Sequence, residues 1–252
     1  YFNLPRDVLS ASSFPGRAMQ VGNPNLMQLP ILGRNVTDFA QAREIESLAG
    51  TSYMRQRARP APIRSLPLDI AGRDVVPVVD GCPVVGIEAD SLSPIPMRPS
   101  GTLAITGPAQ SGRTNTVRWL ARSVRSAFPN AVMLHASARR SLAAREPMWT
   151  ETTQGADKIA SMLGRHAALF EEEAPENMPG VVLFVEGIGE FSFSACEQQL
   201  QDAIASAKAN GHLVVAEADT SSWSFGGSLA AGVRSGRTGI VLCPSPGEGE
   251  NA

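Results

Sequence analysis

The sequence has few of the residues that would build a disulfide framework or a zinc site. Its 252 residues include only three cysteines, Cys82, Cys196 and Cys243. Their number is odd, their spacing is wide, and they form neither a CxxC pair nor a Cys/His cluster. This pattern argues against a cysteine-stapled extracellular domain and favours a reducing, cytosolic compartment.

Long apolar runs and a surplus of one charge are also lacking. No run approaches the roughly 18 apolar residues of a membrane helix, so we expect neither a membrane span nor a signal peptide within this sequence. The 22 Lys+Arg residues are balanced by 24 Asp+Glu, whereas a stand-alone DNA-binding domain usually carries a basic surplus. Because the chain starts at Tyr1 rather than Met, we expect it to be a piece of a longer protein, with any membrane anchor in the missing part.

The composition suits a folded domain with a large core. Apolar residues make up 43% of the chain and charged residues 18%, which fits one large domain or one domain with an appendage. Residues 1–70 are rich in proline and glycine, and the remainder, 71–252, carries longer periodic segments. We therefore place a domain boundary near residue 70.

Within the first 70 residues, the patterns predict two short strands, a helix and a connector. The strands are expected at 18–21 and 26–32, around the turn-like GNPN at 22–25. Apolar residues spaced for a helix occupy 38–48, with Thr37 or Asp38 as the N-cap. The basic, proline-punctuated stretch 55–68 is interpreted as an extended linker, and a nucleic-acid contact is the alternative.

Residues 75–243 alternate between strand and helix signals. This alternation predicts an α/β fold, with a mainly parallel sheet covered by helices on both faces. Ligands of such sheets bind at the carboxyl ends of the strands. Strands are predicted at 101–106, 131–135, 181–185, 212–216 and 238–243, and helices at 112–128, 157–173, 196–209 and 228–233.

A glycine-rich loop follows the first of these strands and opens the first of these helices. Residues 107–114 read GPAQSGRT, close to the phosphate-binding pattern G-x-x-x-x-G-K-[ST]. Loop N–H groups and the helix N-terminus would meet a phosphate, and the Thr114 hydroxyl would bind Mg²⁺. The predicted ATP-binding residues are Gly107, Pro108, Ala109, Gln110, Ser111, Gly112, Arg113 and Thr114.

Arg113 stands where the pattern has lysine. A lysine reaches the β- and γ-phosphates as a compact charge, whereas a guanidinium is planar and bulkier. The charge is retained, so we predict ATP binding together with weak or no hydrolysis.

An apolar strand that ends in acidic residues supplies the second half of the predicted site. The stretch 181–191 reads VVLFVEGIGEF. Glu186 directly follows the apolar run, where a carboxylate would help to hold Mg²⁺. Glu190 is the other acidic group within reach and would orient a water molecule. We therefore predict Glu186 and Glu190 as catalytic residues, with Glu186 and Thr114 as metal ligands.

Several segments together resemble FtsK/SpoIIIE-type ATPase modules. The first looks like the PGRG segment and the strand pair that close one such module, and the others look like the entry and the later strands of the next. These segments are PGRAMQVGNPNLMQLPIL (15–32), PVVGIEADSLSPIPMRPSGTLAITGPAQSGRT (83–114), ANGHLVVAEADTSSW (209–223) and RSGRTGIVL (234–242).

Within that group, the sequence is most similar to the tandem ATPase modules of EccC/EssC, the motor of type VII (ESX) secretion, over nearly the whole chain. The resemblance implies a RecA-like P-loop fold in a non-first module, which we expect to be the last of its chain and to be preceded by the closing segment of another module. It also implies ATP binding with little turnover and docking of the C-terminal signal of secreted WxG-type substrates. The expected setting is the cytoplasmic part of a membrane-anchored complex, beside other modules of the same motor and in an oligomer such as a hexamer.

The sequence departs from the family's pattern at three places. Arg113 and Glu186 argue against efficient hydrolysis. The chain ends in PSPGEGENA without a PGRG segment of its own, from which we expect that a C-terminal piece is absent.

Two other functions stay open on the sequence alone. An FtsK-type DNA translocase module would need a competent loop and a basic channel, so DNA is a less favoured partner. The third possibility is a structural interaction domain with an empty loop.

Arg234 or Arg237, just before the last strand, would reach a neighbour's γ-phosphate in a ring. His135 and His212 are interpreted as satisfied histidines at the edge of the core.

Overall fold

The computed structural model describes residues 17–20, 23–51, 65–225 and 227–244. The chain divides into two compact units, residues 1–63 and 64–252. The assignment of residues 1–70 to the end of a preceding module and a linker stays a prediction, as does the assignment of residues 71–252 to an ATPase domain.

The first unit contains an antiparallel strand pair. Strand β1 spans Arg17–Gln20 and β2 spans Asn23–Gln28. The second strand was expected at 26–32, but pairing with β1 fixes it earlier, because Asn23 lies opposite Gln20 and Gln28 lies opposite Arg17. Of the turn predicted at 22–25, residue 22 lies outside the described residues and the rest belongs to β2.

The predicted helix of this unit is confirmed. Helix α1 spans Asp38–Ala49, and the Thr37 hydroxyl accepts a hydrogen bond from the N–H of Ala40 at 3.4 Å. Thr37 rather than Asp38 is therefore the N-cap. No residue of this fully described helix is buried, and the side chain of Phe39 is 75% exposed. Most of the connector predicted at 55–68 lies outside the described residues.

The second unit is built on a six-stranded parallel sheet in the order β11-β6-β10-β9-β7-β8. Every neighbouring pair in this sheet is parallel. Its strands are β6 (Gly101–Gly107), β7 (Val132–Ser137), β8 (Glu151–Gln154), β9 (Val181–Glu186), β10 (Leu213–Asp219) and β11 (Gly239–Val241).

Helices cover both faces of this sheet. Alternate residues of β9 belong to two separate cores: Leu183 packs with residues of α3 and α4, whereas Phe184 packs with residues of α2. The predicted α/β architecture is therefore confirmed. The helices are α2 (Arg113–Ala127), α3 (Ala156–Glu171), α4 (Glu197–Ala209), α5 (Thr220–Phe225) and α6 (Gly227–Arg234).

A small antiparallel sheet precedes β6 and was not predicted. It consists of β3 (Val78–Val79), β4 (Cys82–Ile87) and β5 (Pro94–Pro96). It lies against α2, where the indole N–H of Trp119 donates to the carbonyl of Val84 at 2.9 Å. Among the described residues, no helix combines the length and the apolar character that crossing a bilayer requires.

Strand register brings the polar strand ends to one edge of the sheet. Asp219 of β10 lies beside Gly107, the last residue of β6. Glu217 of β10 lies beside Glu186, the last residue of β9. The residues that follow Gly107 and Glu186 therefore meet at the carboxyl edge, where ligands of parallel sheets bind.

Candidate functional site

The glycine loop connects β6 to α2. Gly112 is the N-cap of α2 and has a left-handed backbone, with φ of 99°. In the part of the chain that the structure describes, no side chain caps the helix here. Because the first N–H groups of a helix have no intrahelical partner, they are free to bind an anion.

Gly107 allows the loop to fold back on itself. A Cβ at this position would lie 2.5 Å from the Ser111 Oγ and 2.9 Å from the Cβ of Leu242. Both distances are shorter than side chains tolerate, so the close approach requires glycine.

The environment of the Ser111 hydroxyl tests whether a phosphate fits the glycine loop. Its oxygen is one of four buried side-chain polar atoms that have no hydrogen-bond partner among the described residues, and of these four it is the one that lies in the glycine loop. Leaving such a group unpaired is costly, and native structures rarely do so without a reason. A phosphate oxygen in the loop would supply the missing partner, so the residues present fit the predicted ligand.

Thr114 and Glu186, the two predicted metal ligands, are brought together. The Thr114 hydroxyl donates to a Glu186 carboxylate oxygen at 3.2 Å. The described residues contain no group of three or more His, Cys, Asp or Glu side chains that would hold a metal by themselves. Mg²⁺ commonly takes one or two protein oxygens and completes its shell with water and substrate phosphates, and this pair fits that mode.

Glu186 has two further partners. His135 Nε2 lies 2.8 Å from one carboxylate oxygen, and the Ser141 hydroxyl donates to the same oxygen at 2.5 Å. Burial raises the pKa of Glu186, but the hydrogen bonds from His135 and Ser141 outweigh this effect and leave the pKa below its usual value. Glu186 therefore stays a carboxylate and is held in one orientation.

His135 contacts the candidate metal ligand Glu186, and the sequence did not predict this contact. Its ring is fully buried, stacks on Trp149 at 4.8 Å and places Nδ1 2.8 Å from the Thr152 hydroxyl. The histidine is satisfied, as expected, but through the candidate site. Its position two residues before the end of β7, next to β9, is the only sequence signal for this contact.

Arg113 forms an ion pair that the sequence did not predict. One guanidinium nitrogen lies 2.9 Å from a Glu217 carboxylate oxygen, and another lies 3.9 Å from Asp219. Glu217 also accepts a hydrogen bond from the N–H of Gly187 at 3.1 Å. Burial raises the pKa of Glu217, and the positive charge of Arg113 partly offsets this rise. Arg113 thus points toward the end of β10.

Glu190 lies on the short 3₁₀ turn after β9, which spans Ile188–Phe191. Its carboxylate pairs with Arg139 at 2.9 Å, and both side chains are exposed. Arg139 lies in the segment after β7. The role of Glu190 in orienting a water molecule stays a prediction.

Comparisons with known proteins concern the fold. No family model matches the chain, and no curated protein matches it. The cytoplasmic domain of the type VII secretion ATPase EccC from Thermomonospora curvata is similar in structure, with a TM-score of 0.62 and 16% identity over 94% of this chain and 31% of that one.

Two further solved structures are similar. T. curvata EccC (ATPases 2 and 3) in complex with a signal sequence peptide has a TM-score of 0.61 and 17% identity, over 90% of this chain and 46% of that one. EssC (ATPases 2 and 3) from Geobacillus thermodenitrificans has a TM-score of 0.59 and 21% identity, over 94% and 49%. This chain therefore spans less than half of each solved chain, and at these identities the likeness establishes the fold.

Proposed function

We propose that this chain is a nucleotide-binding module of an EccC/EssC-type secretion motor, which binds Mg·ATP at residues 107–114. The observation that carries the proposal is the buried, unpartnered hydroxyl of Ser111 inside a glycine loop at the carboxyl edge of the sheet. The structural likeness to EccC and EssC ATPase domains supports the type of motor.

The predicted phosphate-binding loop and the two predicted metal ligands have distinct roles in this proposal. The N–H groups of the loop and of the first turn of α2 would bind phosphate oxygens. Thr114 and Glu186 would hold Mg²⁺, which neutralises phosphate charge when it is bound. His135 and Ser141 would keep the Glu186 carboxylate ionised and in place.

We infer that turnover by this module is weak or absent. Arg113 is paired with Glu217 rather than lying free beside the loop. Glu190, the candidate for orienting a water molecule, is paired with Arg139. Hydrolysis depends on placing charge and water accurately, and both groups are engaged elsewhere.

The likeness to multi-module ATPases supports a proposal about the finer roles. We propose that the chain works beside other modules of one motor, in an oligomer such as a hexamer, on the cytoplasmic side of a membrane-anchored complex. We also propose that it recognises the C-terminal signal of WxG-type substrates. One solved T. curvata EccC structure contains a signal sequence peptide, which makes this class of partner the first to test.

The experiment is a calorimetric titration with Mg·ATP of the wild-type chain and of Arg113→Ala. We expect saturable binding that weakens at least about tenfold in the variant, because it lacks the guanidinium that a bound phosphate would draw away from Glu217. Arg98→Ala is the matched control, since Arg98 is an exposed arginine just before the opposite end of β6.

Absence of saturable binding at millimolar ATP would overturn the proposal. The chain would then be a structural or interaction module with an empty loop. Salt-dependent binding of DNA in the same preparation would instead favour the translocase function, although a net charge of −2 gives that function little support.

A further inference from the structure

Glu217 lies at the centre of the carboxyl edge and binds no ligand in the function proposed above. It belongs to β10, between the strand that leads into the glycine loop and the strand that ends in Glu186. Its side chain is 9% exposed and that of Arg113 is 20% exposed, so water screens their 2.9 Å contact poorly.

Two contacts hold the two oxygens of the Glu217 carboxylate. Arg113 contacts one oxygen, and the N–H of Gly187 donates to the other. Asp219 adds a longer contact of 3.9 Å to the same guanidinium. Arg113 is therefore held mainly by Glu217 while it occupies the loop position that would meet phosphate.

The local charge makes this ion pair costly to break. If Arg113 turned to a phosphate, Glu217 would remain a buried carboxylate with Glu186 and Glu190 as acidic neighbours, both of which raise its pKa further. Removing one partner of a buried ion pair is strongly unfavourable, because the carboxylate left behind must either remain an uncompensated charge or take up a proton. This cost would be subtracted from the affinity of the loop for nucleotide.

We propose that Glu217 competes with nucleotide phosphate for Arg113 and so determines the nucleotide affinity of the loop. The inference rests on the proposed binding of Mg·ATP at residues 107–114. In this arrangement the arginine in the loop is not a defective lysine. Arg113 is instead a phosphate ligand that stays paired with the Glu217 carboxylate until a nucleotide phosphate replaces that carboxylate.

The test is calorimetric titration of Mg·ATP into the wild type, Glu217→Gln and Asp219→Asn. Glutamine keeps the shape of Glu217 and an oxygen for the Gly187 N–H, but removes the charge that holds Arg113. We expect Glu217→Gln to bind about ten- to hundredfold more tightly, which is the range for one charge-assisted hydrogen bond. Adding Arg113→Ala to Glu217→Gln should abolish the gain.

Asp219→Asn is the matched control, because it removes the same formal charge from the same edge and leaves the 2.9 Å contact intact. We expect its affinity to change less than about threefold. If both variants gain the same affinity for Mg·ATP, the cause is the loss of negative charge at this edge rather than competition for Arg113. That result would overturn the inference.

Two other results separate this inference from the proposed function. Equal affinity of the wild type and Glu217→Gln would overturn the competition and leave nucleotide binding standing. Absence of binding by every variant at millimolar Mg·ATP would overturn both.

A measurement on the wild type tests the inference even if Glu217→Gln does not fold. The arginine side-chain NMR signal assigned to Arg113, by its loss in Arg113→Ala, should shift when Mg·ATP is added, because the guanidinium exchanges Glu217 for phosphate. If the Arg113 signal stays unchanged at saturating Mg·ATP, the inference is overturned. This experiment needs no substitution at Glu217.

Discussion

At the scale of single residues, Gly107 limits what the glycine loop tolerates. A methyl group here would lie 2.5 Å from the Ser111 Oγ and 2.9 Å from Leu242. We expect Gly107→Ala to lower the free energy of unfolding by about 1–3 kcal/mol, as overpacking usually does. Nucleotide affinity should fall as well, because Ser111 must move. Chemical denaturation and calorimetric titration measure the two effects.

Gly164→Ala is the matched control for this prediction. Gly164 lies within α3, and a Cβ there would meet no atom within 4 Å among the described residues. Alanine is favoured over glycine inside helices by roughly 1 kcal/mol, so this variant should be as stable as the wild type or more so. Equal stability of Gly107→Ala and Gly164→Ala would contradict the close approach at the loop.

The residues of the candidate site were predictable to different degrees. The loop is contiguous in sequence, and Glu186 follows an apolar run directly, so both carry local signals. Glu217 and His135 carry none, because their contacts depend on which strands are neighbours. Glu217 contacts Arg113 only because β10 lies between β6 and β9. This strand order cannot be read from a single sequence.

At the scale of elements, the predicted helices and strands with strong apolar patterns are present. The missed elements lack such patterns. Strand β8 reads ETTQ at the edge of the sheet, where only one neighbour is needed, so it carries no apolar signal. Strands β4 and β5 contain three prolines between them, which sequence rules associate with loops. Pairing in an antiparallel sheet outweighs that signal here.

Helix α2 is tied to the segment between β7 and β8 through Glu146. Arg118 donates to one carboxylate oxygen at 2.7 Å, and Arg122 donates to the other at 3.0 Å. Burial raises the pKa of Glu146, but the hydrogen bonds from Arg122 and Arg118 outweigh burial and lower the pKa below 4.5. The ion pairs therefore favour the ionised form in the folded state.

This arrangement predicts how stability depends on pH. Because the pKa of Glu146 is lower in the folded state, its contribution is fully present above the unfolded value of 4.5 and is lost as the pH falls through the folded value. We expect Glu146→Gln to be less stable than the wild type at neutral pH, with the difference shrinking as the pH falls below the unfolded value of 4.5. Urea denaturation across this range measures it.

Glu176→Gln is the matched control for the pH experiment. Glu176 is exposed in the segment after α3 and takes part in no ion pair among the residues the structure describes. Its removal should leave both the stability and its pH profile unchanged. A difference between wild type and Glu146→Gln that persists undiminished in acid would show that packing, rather than charge, holds Glu146 in place.

At the scale of the whole sheet, the two edges of the second unit have different character. The carboxyl edge carries the glycine loop and the buried carboxylates. The amino edge carries Arg234 and Arg237, which precede β11 and are exposed. Neither arginine forms an ion pair within residues 65–225 and 227–244. In the oligomer proposed above, both would be available to a neighbouring module.

An assembled motor tests whether either arginine acts on a neighbour. A guanidinium that reaches a neighbour's γ-phosphate stabilises charge in the transition state and is worth on the order of 10³ in turnover. We expect Arg234→Ala or Arg237→Ala to lower ATP hydrolysis by an active neighbouring module to about this extent. Binding of Mg·ATP by the isolated chain should be unchanged, since both residues lie at the opposite edge from the loop.

The control for this prediction is again Arg98→Ala, an exposed arginine near the same edge. The measurement is steady-state ATP hydrolysis by rings that contain an active neighbour, with isolated subunits assayed alongside. A loss that appears equally in isolated subunits would place the effect inside one module. Unchanged turnover in assembled rings with either alanine variant would mean that the amino edge contributes no catalytic arginine, and that any coupling between modules uses other contacts.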